Sequence, residues 1–237
     1  YGYSADTTLS SAQRLYEKKY ITYPRTGSRY IPDDVFNTIP SLLNDLLADP
    51  YYNKFATTLL DTGVLNKKSV DASKVTDHHA ILITGIMPVA LNSMDENIYR
   101  LVTEQFLKSF MPACIKDVTV IDMDCAGILF RVKGWVMKIQ GWRALQGKDD
   151  CDEAKEENQE LPSLNEGDIL PVSNHGMLGK KTKPKPLYTE GSLLTAMETA
   201  GRELEDENAR QTLKGLGIGT PATRAAIIET LLSRGYI

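Results

Sequence analysis

Cysteine is scarce in this chain, and long apolar runs are absent. The three cysteines, Cys114, Cys125 and Cys151, lie far apart and form no CxxC pair. This spacing argues against a disulfide framework and against a zinc site built on cysteine, and it fits a reducing compartment. No apolar run approaches the roughly 20 residues that span a membrane, so we expect a soluble protein. The chain starts at Tyr1 with no methionine and no signal-peptide pattern, from which we expect a piece of a longer protein.

Acidic residues outnumber basic ones, but they are unevenly placed. The formal net charge is −4, yet residues 148–168 alone hold nine acidic residues against two lysines. Outside this stretch the balance is positive, and residues 1–30 carry five basic residues against two acidic ones. We therefore expect an acidic solvated loop at 148–168 and a basic surface near the N-terminus, so the net charge does not exclude a nucleic-acid partner.

The pattern of apolar residues predicts a multidomain α+β fold in three segments. Residues 1–112 are expected to form a helical domain, with apolar residues at helical spacing over 9–18 and 94–111. Ser10 and Ser93 are expected to cap these two helices. The buried face of the second helix is expected to carry Ile98, Leu101, Val102 and Phe106.

Residues 113–186 are expected to form a partial β-strand domain. Alternating apolar and polar residues, rich in β-branched and aromatic types, predict strands at 116–124 and 128–142 with a turn between them. One more strand is expected at 169–172, after the acidic loop at 148–168. These strands are too few to form a stable domain by themselves, and partner strands elsewhere in a longer chain would explain this.

Residues 187–237 return to the helical period. Thr189 is expected to cap one helix, and Pro221, after a glycine-rich stretch, is expected to start the last one, over about 221–234. Gly235 is expected to end that helix. This third segment is predicted to be a helical DNA-binding segment.

The motif YITYPRTGSRY, residues 20–30, raises the question of catalysis. Pro24 pushes Tyr23 out of the α region, so Tyr23 lies on an extended segment and shares a face with Arg25. Tyrosine has a pKa of about 10 in solution, but a nearby cation favours the phenolate and neutralises a phosphate under attack. Attack of a tyrosine on a phosphodiester fits this arrangement. On local residues alone, a half-buried tyrosine beside a surface arginine is the favoured interpretation.

Two further motifs have functional and structural interpretations. In TDHHAI, residues 76–81, adjacent histidines point in different directions, so at most one serves a given site. That histidine would bind phosphate or transfer a proton. On the motif alone, the favoured interpretation is a histidine that forms a hydrogen bond within its own loop. The glycine-rich segment GLGIGTPATR leads into a helix and exposes backbone donors at its N-terminus, where Thr223 and Arg224 could hold a DNA phosphate. A capped amphipathic helix explains the same residues, and the two interpretations are compatible.

Taken together, LYEKKYITYPRTGSRYIP, TDHHAI, PLYTEGSLLTAME and LKGLGIGTPATRAAIIETLLSRGYI resemble the type IA DNA topoisomerases. The motifs occur in the family's order and span nearly the whole chain, and the later segments are similar to those of topoisomerase III. The resemblance implies a helical domain that carries the nucleophilic tyrosine, a partial antiparallel β arch and a helical segment of the base domain.

The resemblance also implies roles for the matching residues. Tyr23 would attack a single-stranded DNA phosphodiester and form a 5′-phosphotyrosine link. Arg25 would hold the scissile phosphate and stabilise the charge of the transition state, and His78 would assist at the same phosphate. The implied DNA-binding residues are Arg25, Arg29, Thr223 and Arg224.

The whole enzyme would then pass a strand through the break and reseal it, relaxing or decatenating DNA. The resemblance implies a monomer in the prokaryotic cytoplasm, associated with the nucleoid, that uses Mg²⁺. The family's N-terminal metal-binding domain, with its acid/base glutamate and acidic cluster, has no counterpart here, so the Mg²⁺ ligands are expected outside this chain. Asp122 and Asp124 have the spacing of an acidic pair but are expected on the solvent face of a hairpin.

Gly27 is the second departure from the family, which usually has aspartate at this position. A carboxylate that could orient Arg25 or a neighbouring hydroxyl is therefore absent. Because the metal-binding domain is missing as well, this piece is expected to be inactive alone. A second hypothesis of another class is a non-catalytic DNA-binding module, because residues 220–237 resemble the second helix of a winged-helix DNA-binding domain and the residues that follow it. Sequence-specific duplex binding would favour that hypothesis, and a preference for single strands would favour the topoisomerase.

Overall fold

The computed structural model describes residues 1–145, 160–200, 206–212 and 217–237. The chain forms two compact units, of which the first combines Tyr1–Pro112 with Tyr188–Ile237 and the second is Ala113–Leu187. The first and third of the predicted segments thus lie in one unit, because the helix Ala5–Glu17 packs against the last helix, Arg224–Ser233. Helices and a small antiparallel sheet are both present, so the mixed α+β composition is confirmed.

Helices dominate the first unit. None of the described helices is long and apolar enough to cross a membrane. Short 3-10 turns at Leu46–Ala48 and Ala72–Lys74 accompany them. In the described residues the α-helices are α1 (Ala5–Glu17), α2 (Asp33–Phe36), α3 (Ile39–Asp45), α4 (Asn53–Thr62), α5 (Ser93–Phe110), α6 (Glu190–Glu198), α7 (Glu207–Thr212) and α8 (Arg224–Ser233).

Helix α1 begins earlier than predicted and is capped by Ser4. The Ser4 Oγ accepts a hydrogen bond from the Thr7 N–H at 3.1 Å, which satisfies one of the backbone donors that the first turn leaves free. The predicted cap at Ser10 is wrong, because Ser10 lies inside the helix. After Glu17 the chain leaves the helix through Lys19, whose φ of +63° is left-handed.

Helix α5 differs from the sequence expectation at its cap and on one face. The cap is Asn92 instead of Ser93, and its Oδ1 accepts a hydrogen bond from the Asp95 N–H at 2.9 Å. Leu101, expected on the buried face, is 47% exposed. The buried stripe of α5 includes Phe106, as predicted, but does not extend to Leu101.

Two stretches without an α-helix, residues 20–31 and 69–84, are fixed by buried isoleucines. Ile21 and Ile83 are each 1% exposed and pair across an antiparallel bridge. Ile31 is equally buried and pairs in parallel with Val70. Burial of a side chain of this size stabilises the fold by roughly 1.5–3 kcal/mol. The motif at 20–30 is therefore anchored in the core at both ends.

The second unit contains a β-hairpin of β1 (Ile115–Cys125) and β2 (Ile128–Ile139). Between the strands, Ala126 and Gly127 have φ values of +54° and +81°. Positive φ at both turn residues is typical of a type I′ turn, whose twist matches that of paired strands. The predicted hairpin is confirmed, and the second strand ends before the predicted position because Gly141–Leu145 forms a 3-10 helix.

The predicted strand at 169–172 is wrong. Ile169 is 95% exposed, and no strand in the described part of the chain pairs with this segment. Without a partner strand its backbone groups have no ladder to join. Of the predicted acidic loop, residues 160–168 are described and their acidic side chains are exposed; residues 148–159 lie outside the described residues.

Helix α8 starts at Arg224, not at 221, because residues 221–223 form a turn. The Thr220 carbonyl accepts hydrogen bonds from the N–H groups of Thr223 and Arg224, at 2.9 and 3.1 Å. Gly235 follows the helix with a φ of +68°, so the predicted end of the helix is confirmed.

Candidate active site

The segment that carries Tyr23 is held against a second loop by hydrogen bonds on its N-terminal side. The Thr22 N–H donates to the Leu82 carbonyl at 2.8 Å, and the Thr84 N–H donates to the Tyr20 carbonyl at 3.2 Å. The Thr22 hydroxyl also accepts from the Leu82 N–H at 2.9 Å. Residues 20–22 therefore have a fixed backbone immediately before Tyr23.

The C-terminal side of the same segment is held in the same way. The Ala80 N–H donates to the Tyr30 carbonyl at 2.9 Å, and the Ile31 N–H donates to the Ser69 carbonyl at 2.9 Å. Buried Ser28 donates through its hydroxyl to the Lys74 carbonyl at 3.1 Å. Residues 23–29 thus form a short span that is fixed at both ends.

Tyr23 lies half-buried in this span, and its ring contacts two other rings. The centroid of the His78 ring lies 4.5 Å from that of Tyr23, with the planes tilted by 46°. The Tyr16 ring lies at 5.3 Å and 77°, an edge-to-face arrangement. Pro24 is buried beside it. The structure therefore gives the Tyr23 phenol a defined aromatic setting next to a histidine.

Of the two adjacent histidines, His78 is the one whose ring contacts Tyr23. Its side chain is exposed, and its backbone carbonyl accepts a hydrogen bond from the Thr26 hydroxyl at 2.9 Å. The Nδ1 of His79 lies 2.7 Å from the carbonyl of Ala80, which is the local loop contact that the sequence suggested for one of the pair. The two motifs therefore meet at Tyr23 and His78.

The two arginines of the motif are both exposed. Arg25 lies two residues beyond Tyr23 on the fixed span. The Arg29 side chain is 77% exposed, and its Nη2 lies 3.5 Å from Oε2 of Glu198 on α6. An exposed ion pair of this length contributes about 0–1 kcal/mol, so Arg29 can exchange this partner for a phosphate at little cost.

The loop before α8 lies beside the motif. A Cβ atom added to Gly27 would lie 3.4 Å from Cγ of Pro221, an ordinary van der Waals contact. The Thr223 hydroxyl accepts a hydrogen bond from the Thr220 N–H at 2.9 Å. The structure thus brings the turn with Thr220 and Thr223 to the span that holds Tyr23.

Arg224 closes this loop by bonding to its carbonyls. Its Nε donates to the Ile218 carbonyl at 3.0 Å, and its Nη2 donates to the Gly219 carbonyl at 3.2 Å. Gly217, with a φ of +62°, packs against the carbonyls of Met197 and Glu198 at the end of α6. The Arg224 side chain therefore stabilises the conformation of the loop that carries Thr220 and Thr223.

A polar cluster joins α1 to α5; its members Ser11 and Asp95 are buried, and Arg14 and Asn92 are partly or fully accessible to water. The Asp95 carboxylate accepts hydrogen bonds from Ser11 Oγ at 2.6 Å, from Arg14 Nη2 at 2.6 Å and from Asn92 Nδ2 at 2.9 Å. Burial opposes ionisation of Asp95, but these donors outweigh it and hold its pKa below the ordinary value. The cluster fixes the helix on which Tyr16 stands.

Sequence reasoning did not assign a role to Tyr16, Thr26 or Glu198. Tyr16 follows the apolar period of α1, which gives no sign that its ring turns toward Tyr23. Asp122, expected on the solvent face of the hairpin, is exposed and pairs with Arg131 at 2.6 Å, and this pairing lowers its pKa. Among the described residues, no group of three or more His, Cys, Asp and Glu side chains is placed to hold a metal ion.

The whole chain, residues 1–237, matches the model of a family described as DNA topoisomerase. It is 38% identical to DNA topoisomerase 3 of Shouchella clausii, with all of this chain and 33% of that protein covered. It is 36% identical to DNA topoisomerase 3 of Bacillus subtilis, with 98% of this chain and 33% of that protein covered. The corresponding protein of Haemophilus influenzae is 35% identical, with 100% and 36% covered.

The chain therefore spans about a third of the length of these relatives. The match runs through YITYPRTGSRY, TDHHAI and the loop before α8, which the structure places in one compact unit. The chain belongs to the type IA DNA topoisomerase family.

Proposed function

We propose that the protein containing this chain is a topoisomerase III-like enzyme whose nucleophile is Tyr23. It cleaves single-stranded DNA, passes a strand through the break and reseals it, which relaxes or decatenates DNA. The observation that carries the proposal is the contact between the rings of Tyr23 and His78 on a span whose backbone is fixed at both ends. Family membership supports the same chemistry.

In the proposed step, the Tyr23 hydroxyl oxygen attacks the phosphorus of a DNA phosphodiester. The new bond joins this oxygen to phosphorus, and the bond from phosphorus to the 3′ oxygen of the preceding nucleotide breaks. The tyrosine loses its proton, and the leaving 3′ oxygen gains one. Attack of that 3′ hydroxyl on the phosphotyrosine reverses each change, so the break is resealed without an external energy source.

The exposed cationic side chains of residues 20–30 bind DNA phosphates. Arg25, two residues from the nucleophile and exposed, binds the scissile phosphate and stabilises charge in the transition state. His78, against the Tyr23 ring, acts at the same phosphate. Arg29 binds the adjacent backbone after leaving Glu198. Thr223 contacts the DNA from the loop that Arg224 organises.

Magnesium would assist the whole enzyme, with its ligands outside this chain. The described residues do not fit a magnesium site, since they place no group of three or more candidate ligand side chains together. In the cell we place the enzyme in the cytoplasm at the nucleoid, acting as a monomer on single-stranded DNA.

The test uses the full-length enzyme and a single-stranded oligonucleotide labelled at one end. A 5′-phosphotyrosine link leaves the 3′ part of the DNA on the protein, so a 3′ label moves with the protein and a 5′ label is released on a shorter strand. Tyr23→Phe should abolish the adduct. Tyr20→Phe is the matched control from the same motif, because the Tyr20 ring packs against Tyr99, and it should retain adduct formation.

An adduct that persists in Tyr23→Phe would contradict the proposal. The alternative of a non-catalytic winged-helix-like module has no specific observation in its favour, because α8 packs against α1 and α6 and Arg224 bonds to its own loop. Sequence-specific binding to duplex DNA, without an adduct, would support that alternative.

A further inference from the structure

Tyr16 is the second ring against Tyr23, and the proposed reaction gives it no role. Its centroid lies 5.3 Å from that of Tyr23 at an interplanar angle of 77°. An edge-to-face contact at this distance is favourable because the positive edge of one ring meets the negative face of the other. Since His78 contacts the same ring, Tyr23 is packed by rings from two distant parts of the chain.

Ring contacts are what orient the nucleophile in this structure. Within the described residues, no hydrogen bond is present at the Tyr23 hydroxyl. The χ1 torsion then decides where the hydroxyl oxygen lies and χ2 sets the plane of the ring, and both depend on what the ring packs against. The backbone of residues 20–22 is fixed by its bonds to residues 82–84, so the rings govern the remaining freedom.

Tyr16 is well placed to supply this orientation because its own helix is held rigidly. Leu15 beside it is fully buried, and Arg14 is bonded to Asp95 on α5 at 2.6 Å. The Tyr16 carbonyl accepts the Lys19 N–H at 2.8 Å at the end of α1. Tyr16 itself is 39% exposed, so removal of its ring disturbs the core little.

We propose that Tyr16 is a positioning residue that holds the Tyr23 phenol in the orientation from which it attacks phosphate. The proposal rests on the proposed function of Tyr23. The ring of Tyr16 provides this contact, and its hydroxyl takes no part. Substitution of Tyr16 therefore slows formation of the covalent bond while binding of DNA is retained.

The test separates bond formation from binding in the full-length enzyme. With enzyme in excess over a 3′-labelled single-stranded oligonucleotide at saturation, the rate of adduct formation is measured for Tyr16→Ala, Tyr16→Leu and Tyr16→Phe. Loss of one aromatic pair predicts a rate about 2- to 13-fold lower for the alanine and leucine variants. Tyr16→Phe keeps the ring and should restore the wild-type rate. The leucine variant keeps apolar bulk and remains informative if the alanine variant fails to fold.

Binding is measured with the same oligonucleotide in a Tyr23→Phe background, where no adduct forms. Tyr16→Ala should change the Kd there by less than about 2-fold, since the ring contacts Tyr23 and leaves charge at the site unaltered. Tyr51→Ala is the matched control. Tyr51 is also an exposed tyrosine, and its ring packs against Tyr52 and Phe55. Its substitution should leave the rate of adduct formation unchanged.

Three outcomes would overturn the proposal. A wild-type rate in both Tyr16→Ala and Tyr16→Leu shows that the ring does not matter. A slow Tyr16→Phe shows that the hydroxyl matters instead. Weaker DNA binding with an unchanged rate at saturation makes Tyr16 a DNA contact. If instead Tyr23→Phe still forms the adduct, the proposed function itself has failed, which is a different result from any of these.

Discussion

Replacing Asp95 with alanine tests how α1 is held against α5. The Asp95 side chain is fully buried, and its carboxylate accepts from Ser11, Arg14 and Asn92. Alanine removes the acceptor and leaves its donors behind. We expect the free energy of unfolding to fall, chiefly because one of those donors has no access to water.

The magnitude follows from the exposure of each donor. Ser11 is 0% exposed, so its hydroxyl loses its partner without gaining water, which costs about 1–3 kcal/mol. The Arg14 side chain is 43% exposed and regains water, so loss of this pair costs only about 0–1 kcal/mol. The total is about 1–4 kcal/mol. Arg14→Ala, the matched control, should cost less, because Ser11 and Asn92 still serve the carboxylate.

Hydrogen exchange of the α1 and α5 amides measures this loss where it occurs, since amides report the stability of their own region. The lowered pKa of Asp95 adds a pH dependence. Its contribution is complete above the unfolded value of about 4 and declines as the pH falls through the folded value. The difference between wild type and Asp95→Ala should therefore be full at pH 7 and shrink below about pH 4.

Two results would refute this reasoning. Protection in α1 that is unchanged in Asp95→Ala would mean that the cluster does not hold the helix. A larger loss in Arg14→Ala than in Asp95→Ala would mean that the charge pair, and not the buried hydroxyl, dominates.

Two glycine substitutions test the turns around the site. Lys19→Gly should raise the free energy of unfolding by up to about 1 kcal/mol, because Lys19 has a φ of +63° that glycine adopts freely. Lys18→Gly, at a φ of −80°, should lower the free energy of unfolding. Urea denaturation measures both variants, and a more stable Lys18→Gly than Lys19→Gly would contradict this account. Gly217→Ala should cost about 2–4 kcal/mol, since its Cβ would lie 2.6 Å from the Met197 carbonyl. Gly63→Ala, at a φ of +61° with open space around it, should lower the free energy of unfolding by only about 1 kcal/mol. If thermal unfolding shows the same loss of stability for Gly63→Ala and Gly217→Ala, the clash with the Met197 carbonyl is not the cause.

Much of the local structure could be predicted from the sequence, because it depends on neighbouring residues. The hairpin follows from the alternation of apolar residues and a turn that allows positive φ at Ala126 and Gly127. The caps of α1 and α5 were misplaced by sequence reasoning, since several adjacent polar residues can serve as a cap and only the packed helix selects Ser4 and Asn92. The strand expected at 169–172 failed because strand formation requires a partner that periodicity cannot supply.

The same division holds for the site. The sequence by itself determined the family and the residues expected to act, because motif order and residue type can be read along the chain. It placed Tyr23 just outside a helix, since Pro24 excludes the α region for the residue before it. Only the tertiary structure decided which groups meet Tyr23. Tyr16, at the end of α1, and His78, in the loop at 76–81, both contact its ring. His78 reaches it because buried Ile21 and Ile83 pair across two separate segments, and a contact between residues so far apart in the chain leaves no local signature.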